Sequence, residues 1–324
     1  RVLTDNAWLK GQISKRGVFA EYLLRKKGFR WVFSGRLELN ASDIKEAEPE
    51  FIEVYPDARS IQVNPSLSMG GIKNMEHDIA LGLWLGRAQR SGSLVERFIN
   101  YFPVGQDPYE MLGNPELSPE INNQVDLTFE WKTTKSAVNI DIFAAIMQDV
   151  ISSQIDTTLS PHLPNSPGVR QFLNIGQAFK TGFEAGWSQR LFAGLRQNLS
   201  MAYTFAQDLE RDEPLPEISP MDFRYSLMGN YLNNRLKPEL DFRYVLEQAR
   251  ISKEFGETPT PAFFLLDVKL SYQFHKIVRL TAGVQNLFNE HYYEHLNRSV
   301  RGNNPKPIYA PGRNFYISLN LNFM

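Results

Sequence analysis

Cysteine is absent from all 324 residues, which excludes disulfides and thiolate metal sites and suits a chain that passes through an oxidising compartment. No run of about eighteen apolar residues occurs, so the sequence holds no candidate membrane helix. No apolar stripe with a 3.6-residue period is sustained either, which argues against a helical domain. Charge of one sign is not in excess: 35 Lys and Arg face 36 Asp and Glu, a net charge of −1 that leaves no footprint for nucleic acid. Phosphate-cradling and dinucleotide fingerprints are missing, and the carboxylates are scattered rather than paired. Ser91-Gly92-Ser93 and Gly105 sit in loop-like sequence without a nucleophile elbow, so the reading is against an enzyme and calls for no cofactor. Nothing at Arg1 resembles a signal peptide and the chain does not start with Met, the expectation for a mature product or a piece of one.

What the sequence does have is alternation. In the final segment Phe315, Ile317, Leu319, Leu321 and Phe323 point one way, while Asn314, Tyr316, Ser318, Asn320 and Asn322 point the other. The same period of two recurs about thirteen times. Val125, Leu127, Phe129 and Trp131 oppose Asp126, Thr128 and Glu130; Phe264, Leu266, Val268 and Leu270 oppose Asp267, Lys269 and Ser271. Strands are expected near 12–25, 28–40, 59–71, 76–90, 121–133, 136–154, 176–191, 197–208, 220–233, 236–248, 261–274, 277–288 and 313–323.

The connections between them alternate in length. Tight turns fall at Lys26–Lys27, Ile72–Met75, Thr134–Lys135, Phe192–Arg196, Asn234–Arg235 and His275–Lys276. Long ones fall near 41–58, 91–120, 155–175, 209–219, 249–260 and 289–312. A transmembrane antiparallel β-barrel of the outer-membrane type has this pattern, with short periplasmic turns and long outside loops; a β-sandwich has no reason to obey it. The long loops are then extracellular and the C-terminus periplasmic. A 42% hydrophobic content and mean hydropathy of −0.35 fit, because lumen and loops dilute the lipid-facing band. Thirteen is odd, and an open sheet would leave unpaired backbone groups in lipid, so further strands are expected N-terminal to Arg1.

Several segments carry a family resemblance. Ala282 to Asn289 reads AGVQNLFN, and it is followed by the Tyr292-Tyr293 pair and by Pro311-Gly312-Arg313-Asn314-Phe315-Tyr316. Upstream lie Gly113-Asn114-Pro115-Glu116-Leu117-Ser118-Pro119-Glu120, Asn174-Ile175-Gly176-Gln177-Ala178 with Gly182 and Glu184, and Pro214-Leu215-Pro216 with Pro220. In this order they resemble the C-terminal part of TonB-dependent outer-membrane receptors. The resemblance implies about thirteen C-terminal strands of a roughly 22-stranded barrel, residues 1–324 being a partial barrel domain without its plug and first strands. It implies TonB-dependent import of a scarce large solute: an iron-siderophore, another metal chelate or a cobalamin. The implied partners are outer-membrane lipid, the plug, the remaining strands, TonB and the solute. Two departures stand out. Met324 follows the expected terminal aromatic Phe323, and Arg87-Ala88-Gln89 stands where relatives often have Arg-Ala-Pro. A passive pore or a ligand-binding or adhesion barrel is the alternative.

Within that frame Arg36, Glu130, Lys180, Glu184, Arg224, Asp267, Lys269 and Arg279 are expected in the lumen, facing the plug. The segment after Phe288 gathers His291, His295, Arg298 and Arg301 in one long exterior loop, expected to contact substrate and to add little to folding. In a helical turn His291 and His295 would share one metal; in a continuing strand their rings stand about 13 Å apart and could not. No metal site is assigned. Asn114-Pro115-Glu116-Leu117 resembles a haem-receptor motif, but no His lies between Ala88 and Asn114, which argues against haem.

Overall fold

A computed structural model describes residues 9–103, 107–297, 299–300 and 306–321. The strands are β1 (Lys10–Lys26), β2 (Phe29–Glu46), β3 (Ser60–Asn74), β4 (Ile79–Arg90), β5 (Glu110–Leu112), β6 (Glu120–Lys132), β7 (Ser136–Asp156), β8 (Val169–Arg190) and β9 (Leu195–Asp208). They continue as β10 (Glu213–Pro214), β11 (Asp222–Gly229), β12 (Leu236–Val245), β13 (Phe263–His275), β14 (Val278–Gln285), β15 (Ser299–Val300), β16 (Lys306–Pro307) and β17 (Asn314–Leu321). Two short helices interrupt the long connections, α1 (Pro49–Val54) and α2 (Leu94–Phe98).

One 15-stranded sheet dominates. Its path runs β1-β2-β3-β4-β6-β7-β8-β9-β11-β12-β13-β14-β17, every neighbour antiparallel, with β10 on β9 and β5 parallel to β8 beside it. β15 and β16 form a separate pair. The thirteen strands of the path correspond one to one with the thirteen alternating segments of the sequence, and the short and long connections alternate between them as expected.

Register fixes the two faces, because residues directly opposite each other in an antiparallel pair share a side. Leu83 faces Leu127, Leu127 faces Ile142 and Ile142 faces Phe183, a continuous apolar row across four strands. The other face carries Trp84 against Asp126, Thr128 against Asp141, and Asp141 against Glu184. Among the described residues no second layer covers the apolar face: Leu83, Leu127, Ile142, Trp187 and Leu270 are exposed, as side chains that face lipid are. Glycines on the polar face let large rings lie flat. A Cβ on Gly70 would stand 2.2 Å from the Trp84 ring, and one on Gly182 would stand 2.3 Å from the Tyr203 carbonyl.

The buried core therefore sits at one end, where the long connections are. Leu9, Phe51, Tyr55, Phe98, Leu112 and Val169 form one cluster; Val150, Ile175, Ala178, Ala206 and Leu215 form another. Several strands run further into this end than the alternation suggests. β2 continues to Glu46 and β8 begins at Val169, seven residues before the expected start at 176. Above the membrane band both faces are polar or packed, so the apolar period fades although the ladder continues. At the other end the expected ends of β4 and β11 are shortened by turns. His77 and Asp78 adopt left-handed backbone before β4, and Leu232, Asn233 and Asn234 do so after β11.

Candidate functional site

The long connections pack onto the polar face of the sheet and onto each other. The connection from Ser91 to Pro119 starts with α2, whose N-terminus is closed by a capping box: Ser93 Oγ accepts from the Glu96 N–H and the Glu96 carboxylate accepts from the Ser93 N–H at 2.6 Å. Arg90 ties this helix to the top of β6. Its guanidinium donates to Glu96 at 3.0 and 3.1 Å and to Glu120 at 3.1 and 3.3 Å. Burial alone would raise the Glu96 carboxyl, but the hydrogen bonds from Arg90 and Ser93 outweigh it and hold Glu96 below the usual carboxylate range. Arg97, wholly buried, reaches the polar face below and donates to Ser42 Oγ and Gln62 Oε1 at 2.5 Å each. Asn64 donates to Ser91 Oγ at 2.8 Å and Gln62 to the Leu117 carbonyl at 2.7 Å. Phe98 fills the space over Gly11, where a Cβ would stand 2.7 Å from its ring.

Further along, β5 pairs parallel with the start of β8, Glu110 opposite Val169. The buried Glu110 carboxylate accepts the N–H groups of His162 and Leu163 at 2.9 and 2.7 Å, which anchors the connection after β7. Arg170 and Asp107 form a buried ion pair beside them. The Arg170 guanidinium also lies 4.0 Å from the Phe255 ring centroid and 5.2 Å from that of Tyr109, and it donates to the Phe255 carbonyl at 2.9 Å. Three connections thus meet at one residue. Tyr55, after α1, is fixed by Gln171, and burial pushes its hydroxyl up to about 12.

A cavity of about 180 Å³ opens at this junction, lined by Asp107, Tyr109, Arg170, Glu257, Thr260 and His295. His295 is only 3% exposed. Its Nδ1 pairs with Thr260 Oγ1 at 2.8 Å and its Nε2 stands 3.6 Å from Glu257 Oε1. The expectation of an open loop tip does not fit this residue: it joins the connection after β14 to the one after β12, with its ring enclosed by both. His291 behaves differently. It is exposed and stacks on Tyr309 with centroids 3.7 Å apart. The segment carrying both is not helical, and each imidazole has its own aromatic or hydroxyl neighbour. Among the described residues no group of three His, Asp or Glu is placed to hold a metal. Arg298 and Arg301 lie outside the described residues, as do Gly105, Phe323 and Met324.

The eight charges expected in the lumen all occupy the polar face, and most have local partners. Lys269 pairs with Glu239 at 2.6 Å, Arg224 with Asp222 at 2.9 Å and Arg36 with Glu38 at 2.6 Å. Arg279 donates to Gln273 at 2.8 Å and Asp267 accepts the Asn286 N–H at 2.7 Å. Lys180 stands 5.9 Å over the Phe143 ring, while Glu130 and Glu184 are exposed. Sequence reasoning missed Arg90, Arg97, Asp107, Glu110 and Arg170. Only the Ser93-x-x-Glu96 capping box was readable in advance.

The family model of TonB-dependent receptor-like β-barrels matches residues 14–287. Among solved structures the chain is similar to the copper transporter OprC, with 21% identity and a TM-score of 0.83 over 97% of this chain and 48% of that one. It is similar to the FrpB iron transporter from Neisseria meningitidis, with 18% identity and a TM-score of 0.69 over 97% and 46%. The ferric yersiniabactin uptake receptor FyuA from Yersinia pestis follows, with 15% identity and a TM-score of 0.70 over 97% and 46%. The chain thus spans about half the length of these relatives. No curated protein matches it.

Proposed function

Because the chain belongs to the TonB-dependent receptor β-barrel family, whose members are outer-membrane receptors and transporters, we propose that it forms the wall and exterior mouth of an active importer for a scarce metal-bearing solute. The observation that carries this reading is the asymmetry of the sheet's two ends. Six short turns close one end, while six long connections at the other fold over the polar face and are locked there by buried groups such as Arg97, Glu110 and Arg170. A mouth built this way can present a fixed surface to a solute, whereas an open pore needs no such platform.

In this reading the long connections are extracellular and the short turns periplasmic. Arg36, Glu130, Lys180, Glu184, Arg224, Asp267, Lys269 and Arg279 face a plug and hold it through polar contacts that a pull from TonB can break. His291 is the better solute contact of the two histidines, because it is exposed. Metal-bearing cargo is supported by the copper, iron and ferric yersiniabactin named for the solved relatives.

The sign of the mouth narrows the class. The six connections at 47–59, 91–119, 157–168, 209–221, 246–262 and 286–313 carry seventeen Asp and Glu against nine Lys and Arg. Such a surface attracts cations and repels polyanions, so a cationic or neutral metal complex fits better than a highly anionic chelate. The test is growth of a deletion strain on limiting copper, iron-siderophore, other metal chelates or cobalamin, each with and without collapse of the proton-motive force. Rescue by one solute that stops with the proton-motive force supports active import. Uptake that continues after collapse identifies a passive pore instead.

A further inference from the structure

On β4 the apolar face runs Ile79, Leu81, Leu83, Leu85 and then meets a guanidinium, Arg87. Register places it firmly on that face: Arg87 stands opposite Leu67 on one side and Asn123 on the other. The side chain is exposed, and Nη1 donates to Asn123 Oδ1 at 2.7 Å. Among the described residues no carboxylate pairs with it. Asn123 is itself pinned, its Nδ2 donating to the Ile146 carbonyl at 3.4 Å, so it orients the guanidinium without neutralising it.

Arg87 lies eight residues beyond Ile79. At about 3.3 Å per residue and a tilt of about 40°, that is roughly 20 Å along the membrane normal, near the top of an apolar band about 25 Å tall. A cation there is a net cost unless an anion from the lipid side meets it. Immediately on the turn side of the pair, a shallow groove of about 940 Å³ crosses the strands on the apolar face. Its upper wall includes Arg87, Asn123 and Ile146; its lower wall includes Met69, Leu85 and Val125. Hydrocarbon fits the groove, and a phosphate fits the fork of N–H donors at its rim.

We infer that Arg87 and Asn123 form the headgroup end of a lipid site, which takes a phosphate of the phosphorylated glycolipid of the exterior leaflet while one acyl chain lies in the groove. The choice of that leaflet rests on the proposed orientation, because the pair lies on the long-connection side of the band. Neither residue touches the mouth or the polar face, so the site is separate from solute handling.

The test uses the purified protein in phosphatidylcholine nanodiscs, with bisphosphorylated lipid A, dephosphorylated lipid A and phosphatidylglycerol as probes, read by native mass spectrometry. Wild type should retain bisphosphorylated lipid A at least tenfold better than Arg87→Leu, with Arg87→Lys between them and the other two lipids poorly held by all three. Arg87→Leu extends an existing apolar stripe, and unchanged heat-modifiable migration verifies that it assembles. Equal retention by wild type and Arg87→Leu, or equal retention of dephosphorylated lipid A or phosphatidylglycerol, overturns the inference. A single cysteine at the exposed Glu247 (E247C), labelled on intact cells with an impermeant maleimide, separates the two layers of the argument. Labelling together with equal retention sinks the lipid site alone; no labelling sinks the orientation beneath it.

Discussion

Replacing Arg90 with Ala should release α2 and the segment around Gly113 without disturbing the sheet. Arg90 makes a bidentate contact to Glu120 and donates through Nη1 to both oxygens of Glu96; these carboxylate side chains are 14% and 16% exposed while its own is 46% exposed. A fully buried pair broken on one side costs about 3–5 kcal/mol, and a fully exposed one about 0–1. This arrangement lies between them. Both carboxylates also keep a backbone donor, Ser93 N–H for Glu96 and Ile151 N–H for Glu120. A local loss of about 2 kcal/mol follows, which is roughly 30-fold in the opening equilibrium. Amide hydrogen exchange reads it directly. The N–H groups of Gly113 and Asn114, bonded to the Ile99 and Glu96 carbonyls, should exchange roughly 30-fold faster in Arg90→Ala, while amides of β6 and β7 stay protected. Acid provides an independent check. The folded Glu96 carboxyl is depressed, so its stabilisation is complete above the ordinary carboxylate pKa and is lost as pH falls through the folded value. Arg90→Ala should flatten that acid-side dependence. Exchange at Gly113 and Asn114 equal to wild type would refute the latch.

His295→Ala should loosen the connection at 246–262 by about 1–3 kcal/mol, since Thr260 Oγ1 loses its partner in a buried site; limited proteolysis there should accelerate, and unchanged proteolysis with weakened solute binding would make His295 a contact residue instead. Leu83→Arg on the apolar face should cost about 2–4 kcal/mol of stability in lipid, whereas Ser68→Arg on the polar face of the neighbouring strand should cost little; equal effects in urea unfolding would contradict the face assignment. Association of a cationic metal complex should slow several-fold as salt rises from about 0.01 to 0.15 M, in keeping with steering by the acidic connections, and a salt-independent rate would remove that role. Above about pH 10 the unfolded tyrosine ionises while Tyr55, pushed up to about 12, does not, so its contribution to the α1 region is intact below that pH and lost as pH climbs through the folded value; a Tyr55→Phe variant should not show the loss.

The sheet was readable because a membrane imposes period two on every strand that crosses it. Leu81, Leu83 and Leu85, or Leu266, Val268 and Leu270, have no alternative partner than lipid. That constraint ends where the strands leave the band. Ala41 to Glu46 read as loop because Ser42 and Asp43 break the alternation, yet all of them except Lys45, which a bulge leaves out of register, pair with β1. The mouth was hidden for a related reason. Asp107 and Arg170 lie 63 positions apart, and Arg170 reaches Phe255 across another 85, so no local pattern links them. His295 reads as a loop residue in sequence and becomes enclosed only because Thr260 and Glu257 arrive from a different connection. Conversely, the eight charges of the polar face were placed on one side by parity alone, and the partners that most of them find there follow from register.

The parallel pairing of β5 with β8 also carries information about time. Half of the antiparallel neighbours along this sheet are joined by a few residues, so hairpins such as β1–β2, β6–β7 and β13–β14 can zip early, from their turns outward. Glu110 cannot meet Val169 until β6, β7 and the following connection have been made, and Arg170 cannot settle until Phe255 is in place. Closing these distant contacts is entropically slower than closing a hairpin. The mouth should therefore mature last, leaving an interval in which the wall already stands while the connections above it are still exposed to proteases and to chaperones.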